Sequence, residues 1–239
     1  MERLDKRETV CCGASVACES CAVRPLAVCG ALPTDALARL ARMTHPRRLG
    51  PGATLIEEGE PALDVFTVVE GMLKLYKLMP DGRRQITGFM IPGDFVGLSV
   101  GEAYIYSAEA VMPTTACRFR RNFFHGMMED YPDLETRLLG IVSTELAAAQ
   151  GQMLLLGRKT AKERLASFLL SLAGRLEVAA GDRLALPMTR SDIADFLGLT
   201  IETVSRTFTV LRKEGLLARV DKAGVVVADI DALARAAGD

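Results

Sequence analysis

The sequence predicts an α+β chain in three parts: an N-terminal antiparallel β-roll, a long helix, and a C-terminal helical module closed by a hairpin. Three observations lead there. From about Leu49 to Phe119, glycine or proline recurs between short β-rich runs, the punctuation of a jelly roll. Leu139, Val142, Leu146, Ala149, Met153 and Leu156 are then spaced 3, 4, 3, 4, 3, an unbroken a/d seam. Finally, Met188 to Gly215 reads as two capped helices separated by a glycine. The boundaries that follow are a cysteine-rich arm at 1–32, the roll at 33–131, the long helix at 132–157 and the C-terminal module at 158–239.

With 239 residues, 49% hydrophobic and 25% charged, the chain has a globular balance and is neither disordered nor collagenous. A net charge of −1 gives no global positive field, so a nucleic-acid partner must be met by a local patch. No apolar run approaches the ~20 residues of a membrane helix. Glu2, Asp5, Glu8 and Glu19 interrupt the first thirty residues, which lack the apolar core of a signal peptide. A cytoplasmic protein with no membrane partner is expected. Of six cysteines, Cys11, Cys12, Cys18, Cys21 and Cys29 crowd the arm and Cys117 stands alone. In a reducing compartment this density points to metal or redox chemistry rather than disulfides.

Thr34 is expected to cap a short helix over Asp35 to Met43. Val65 to Val69 and Leu73 to Leu78 read as strands, the second alternating Leu73 and Leu75 with Lys74 and Tyr76. Pro80-Asp81-Gly82 reads as a hairpin turn. The seam suits either packing on its own domain or pairing with a second copy, and its regularity suits a partner helix. Gly157 and Arg158-Lys159 end it, and an amphipathic helix follows from Lys162 to about Leu176.

Thr189 and Asp192 form a capping-box pattern, and Gly198 suits a left-handed helix end. Thr200 caps the next helix. Ala194, Gly198 and Val204 occupy the small, turn and apolar positions of a helix-turn-helix, and Val225-Val226-Val227 reads as part of a wing. Glu202, Ser205, Arg206 and Thr209 share one face of the second helix and carry side chains suited to base edges. Thr189 and Arg190 join them as candidate DNA contacts. Outside this motif Glu202 and Arg206 would be an ordinary i, i+4 surface pair. Arg158 to Lys222 holds twelve Lys+Arg against eight Asp+Glu, a local +4. Double-stranded DNA is the implied partner.

The order of roll, dimer helix and winged helix-turn-helix resembles the Crp/Fnr family of bacterial transcription regulators, whose roll is of the cyclic-nucleotide-binding type. The resemblance rests on Gly93-Asp94-Phe95-Val96-Gly97, on Ala161 to Phe168 and on Glu202 to Arg206, and covers nearly the whole chain. It implies a homodimer with a regulatory, non-enzymatic role, and contact with RNA polymerase. In the cyclic-nucleotide branch a Glu follows the GDFxG glycine and an Arg-Ser pair comes later. Here Leu98 and Ser99 follow Gly97, and Tyr106 precedes Ser107, so no cyclic nucleotide is expected.

The oxygen-sensing Fnr branch implies a [4Fe–4S] cofactor on an arm of cysteines plus a distant one. In this chain those positions are Cys18, Cys21, Cys29 and Cys117, and thiolates suit such clusters. Cys117 by itself could equally be a core residue, Cys12 could replace it, and an all-thiolate zinc site is a further rival. By resemblance, oxygen destroys the cluster and frees a palindromic site similar to TTGAT-N4-ATCAA. The other readings are a relative answering to NO, haem or no effector, and a thiol oxidoreductase using Cys18-x2-Cys21. His45 is expected at the surface and His125 as a packing histidine.

Overall fold

The computed structural model describes residues 18–238. Cys11 and Cys12 lie outside them. Two compact units divide the described residues: those up to 76 with 88–144, and 77–87 with those from 145 onward.

In the first unit, helix α1 (Thr34–Met43) leads into strands β1 (His45–Leu49), β2 (Thr54–Ile56), β3 (Asp64–Glu70), β4 (Leu73–Leu78), β5 (Arg84–Met90), β6 (Phe95–Val96), β7 (Ser107–Ala110) and β8 (Thr114–Arg120). They form two four-stranded sheets, ordered β1-β8-β3-β6 and β2-β7-β4-β5. This is the expected antiparallel roll. Its interior is apolar, with Ile56, Val68, Leu73, Val96, Ala108 and Ala116 almost wholly buried. Helix α2 (Arg121–Asp130) closes the roll.

Four local expectations change. Pro33, not Thr34, is the N-cap of α1, and no side chain caps it. Lys74 does not alternate outward but is buried, because its ammonium meets Glu109 at 2.9 Å from the opposed position on β7. His45 is exposed as expected, but His125 is exposed too: Phe124 and Met127 supply the inward face of α2 and leave His125 on the outer one. The arm is not merely a polar appendage. Val23, Ala27, Val28 and Leu32 are buried, and three of the four join the apolar cluster beneath the first sheet.

Helix α3 (Pro132–Arg158) has two faces. Leu134 and Leu138, with Ile141 half-buried, pack into the first unit's core. The seam is on the other face: Leu139, Val142, Leu146 and Met153 are 60, 40, 59 and 72% exposed. Ala149 is exposed as well and Leu156 is half-buried. By length and composition alone α3 would also suffice to cross a bilayer, which run length does not register.

In the second unit, α4 (Ala161–Arg175), β9 (Arg183–Ala185), α5 (Arg190–Leu197), α6 (Ile201–Lys213), β10 (Leu217–Val220), β11 (Gly224–Val227) and α7 (Ile230–Ala237) surround a core that includes Leu165, Leu169, Ile193, Leu197, Val204 and Leu211. The sheet runs β10-β11-β9. The hairpin tip at 77–87 belongs to this unit. Pro80-Asp81-Gly82 turns it, with the Gly82 amide donating to the Met79 carbonyl at 2.9 Å.

Candidate nucleic-acid interface and thiol cluster

Both helices of the motif start where their caps require. On α5 the Thr189 hydroxyl accepts from the Asp192 amide and donates to its carboxylate, which in turn accepts from the Thr189 amide. Gly198 ends α5 at φ 61°, the left-handed region glycine tolerates. Thr200 accepts from the Thr203 amide to open α6. Ala194 and Val204 are buried at the positions where the two helices meet.

The base-reading candidates stand where expected on α6. Glu202, Ser205, Arg206 and Thr209 are all exposed along one face. The Glu202 carboxyl is held below its ordinary value by its own amide and the Thr200 hydroxyl, with Arg206 nearby. Ser205, Thr209, Arg212 and Lys222 line one cleft of about 560 Å³ between α6 and the wing. Arg190 forms its wall rather than its rim. Its guanidinium stacks on Phe208 at 3.6 Å and donates to the Asp221 carbonyl, tying α5 to both. Burial lowers the Arg190 pKa. Thr189 is committed to its cap.

Sequence reading missed Arg212 and Lys222. The signal was available: Arg212 lies one turn beyond Thr209 and Lys222 in the wing turn, both inside the counted basic stretch. Asp221 also enters this face. Arg183 grips it through two bonds of 2.6 and 2.7 Å, which with the Ala223 amide hold its carboxyl well below the carboxylate range.

A second set of residues braces the motif. Arg84, on the hairpin tip, donates to Asp192 at 2.9 Å and to Asp195 at 2.8 and 2.9 Å. The C-terminal carbonyls of α5 are also filled. Gln152 and Gln85 donate to Phe196 and Arg164 donates to Leu197, while a second Arg164 bond reaches the Leu156 carbonyl near the end of α3.

In the first unit, Cys18, Cys21, Cys29 and Cys117 line one cavity, closed by Val23, Leu40, Val69 and Phe119. Its free volume is about 20 Å³, room for about one water. Two tight turns place the arm's thiols: the Cys21 amide donates to the Cys18 carbonyl, and Cys29 sits in a 3-10 turn at Val28–Ala31. Gly30 is required there, since a Cβ would lie 2.5 Å from the Arg24 carbonyl. Arg24 bonds the Leu32 carbonyl, and Arg137 of α3 donates to the carbonyls of Ala27 and Pro25. Cys117 comes from β8, where it is paired with Pro46 and with Thr67.

Burial first, then the neighbouring Cys21, Cys117 and Cys18, push the Cys29 thiol up to about 12. The four sulfurs therefore share one electrostatic environment. Yet among the described residues no three His, Cys, Asp or Glu side chains gather tightly enough to hold one metal ion. Four cysteine thiols on one cavity are a donor set that fits a thiolate-held iron–sulfur cluster and equally an all-thiolate zinc site.

The segment that follows Gly97 in the roll is held by bonds within the chain. The Gly97 amide donates to the Tyr106 phenol at 2.8 Å, and Arg121 donates to the Ser99 and Gly101 carbonyls.

Comparison with known proteins completes the picture. Residues 46–131 match the cyclic nucleotide-binding domain model, and residues 163–236 match the Crp-like helix-turn-helix domain model. The chain is 47% identical over 225 residues to the transcriptional activatory protein AadR of Rhodopseudomonas palustris, spanning 92% of this chain and 94% of that protein. It is 40% identical over 229 residues to the transcriptional activator protein FnrL of Cereibacter sphaeroides, covering 93% and 92%. The solved structure of FixK2 from Bradyrhizobium japonicum superposes with a TM-score of 0.76 at 38% identity, over 80% of this chain and 96% of that one. With a roll, a long helix and a capped helix-turn-helix in that order, the chain belongs to the Crp/Fnr family of DNA-binding transcription regulators.

Proposed function

We propose that this chain is an oxygen-responsive transcriptional activator whose four thiols hold a [4Fe–4S] cluster, and that it binds a palindromic site as a homodimer. The observation that carries the reading is the convergence of Cys18, Cys21, Cys29 and Cys117 on one buried cavity. Relatives named as transcriptional activators support the activator role.

A cubane bound there supplies an inorganic centre that oxygen attacks. The chain's own residues do the rest. Three thiols sit on an arm that a bond from Arg24 to the Leu32 carbonyl braces internally, that Arg137 ties to α3, and that Val23, Val28 and Leu32 anchor in the apolar core. Arg137 is on α3, two residues before Leu139, so the arm and the seam share one helix end. The seam's exposed Leu139, Val142, Leu146 and Met153 suit a second copy of the same helix. Pairing brings two α6 helices to two half-sites, where Glu202, Ser205, Arg206 and Thr209 meet base edges and Arg212 and Lys222 meet phosphates. RNA polymerase is the partner the activator role requires.

Anaerobic reconstitution with iron and sulfide tests this. About four irons and four sulfides per chain are expected, with the loss of both in Cys→Ser variants at 18, 21, 29 or 117. Full loading of Cys117→Ser would remove Cys117 from the ligand set, and one zinc per chain with no sulfide would replace the cluster.

A further inference from the structure

Thr67 lines the thiol cavity, and its hydroxyl has no hydrogen-bond partner among the described residues. It lies on β3, paired directly with Cys117 on β8, so the two side chains leave the sheet on the same face. Thr67 lines the cavity with the four cysteines. The residue is only 2% exposed, and its Oγ1 has no hydrogen-bond partner among the described residues. Buried hydroxyls are normally paired, and one left alone is costly. A threonine there makes physical sense if a partner arrives with the bound group. Thiolate and sulfide sulfurs are acceptors, and a hydroxyl offers one donor hydrogen.

We infer that Thr67 donates its hydroxyl hydrogen to a sulfur of the group held by Cys18, Cys21, Cys29 and Cys117, and thereby sets how readily oxygen oxidises it. The inference rests on the cluster reading above. A hydrogen bond to sulfur withdraws electron density from the centre, raising its reduction potential and slowing electron loss to dioxygen. Thr67 is thus a positioning and tuning residue, not a ligand. No bond to iron is made or broken by it.

Thr67→Val keeps the shape and removes the donor; Thr67→Ser keeps the donor. Three preparations of the full chain (wild type and both variants) are reconstituted anaerobically with iron and sulfide. Iron and sulfide are counted, and bleaching of the visible absorption is followed in air-saturated buffer. All three are expected to load equally. Thr67→Val should bleach faster than wild type, on the order of two- to tenfold, and Thr67→Ser should stay near wild type. Poor loading confined to Thr67→Val would mean that the residue is needed to hold the group rather than to tune it, and would overturn the inference.

The chain without iron gives an independent readout. There Thr67→Val should melt higher than wild type, because an unpartnered hydroxyl is removed from the interior. A lower melting temperature would mean that the hydroxyl already has a partner, and would overturn the inference. Equal loading with equal bleaching in Thr67→Val and wild type would overturn it as well, while leaving the cluster reading intact. A wild-type chain that takes up neither iron nor sulfide overturns both.

Discussion

At the residue scale, the proposed DNA face separates into side chains of two kinds, and they are expected to fail differently. Arg206 is exposed on the reading face beside Glu202, free to meet a guanine edge. Arg206→Ala should cost about 1–3 kcal/mol on the specific site and relax discrimination at one base pair. Competition titrations against a panel of single-base variants measure this. Equal loss on specific and random duplex would make it a phosphate contact. Lys222→Ala should weaken all sequences alike and lower the salt slope by about one.

Asp221 is a residue of another kind, structural rather than reading. Its carboxyl is depressed by Arg183 and the Ala223 amide, so the stabilisation it brings is present above its unfolded value near 4 and lost as pH falls through the lower folded one. Asp221→Asn should lower the melting temperature at pH 7, and the gap to wild type should close as the pH drops below about 4. An unchanged gap at pH 3 would mean that the carboxylate charge is not what holds the wing.

The sequence spoke clearly for some of these residues and not for others. Glu202, Ser205, Arg206 and Thr209 could be read because helix periodicity alone puts them on one face. Thr67, Lys74 and Arg84 could not be, because their significance depends on strand register and on a hairpin tip reaching residues more than a hundred positions away.

At the element scale, α3 reconciles two readings that periodicity leaves open. Leu134, Leu138 and Ile141 serve its own domain, while the seam beginning at Leu139 is left uncovered. Each large seam residue could add up to about 1.5–3 kcal/mol on full burial, before the costs of association. No charge interrupts the seam between Leu139 and Leu156 at its a/d positions, Ala149 included. Ala149→Asp should therefore weaken the dimer by about 3–5 kcal/mol, since two carboxylates would face each other without partners. Sedimentation equilibrium of the anaerobic protein measures it, and an unchanged dimer constant would place the interface elsewhere.

The helix-turn-helix was legible because caps are local: Thr189, Asp192, Gly198 and Thr200 announce themselves in order. Strand β9 was not anticipated because it is three residues long and rests on pairing with β11, whereas α7 was missed although Asp229 caps its start and Gly238 ends it in the left-handed conformation. The burial of the arm was missed for a related reason. Val23, Val28 and Leu32 are too scattered to show a period, and only packing against α1 and the sheet gives them a core.

At the scale of the whole molecule, the proposed account joins three things: a thiol cluster in the roll, a seam on one long helix, and a reading face at the far end of the chain. The uninterrupted seam has a consequence for the switch. Protein that has lost its cluster should remain partly dimeric at micromolar concentration, so that oxygen acts largely by misaligning the reading helices. Analytical ultracentrifugation of air-exposed protein checks this, and a clean monomer throughout that range would contradict it.

The central claim, that oxygen at the thiol cluster governs DNA binding, has a direct test. A labelled duplex carrying TTGAT-N4-ATCAA is titrated by fluorescence anisotropy with anaerobically reconstituted protein, and the titration is repeated after exposure to air. The account predicts tight binding that falls at least tenfold in air, and weak binding under both conditions for Cys29→Ser. Equal affinity before and after air, in protein whose visible absorption has bleached, would contradict it.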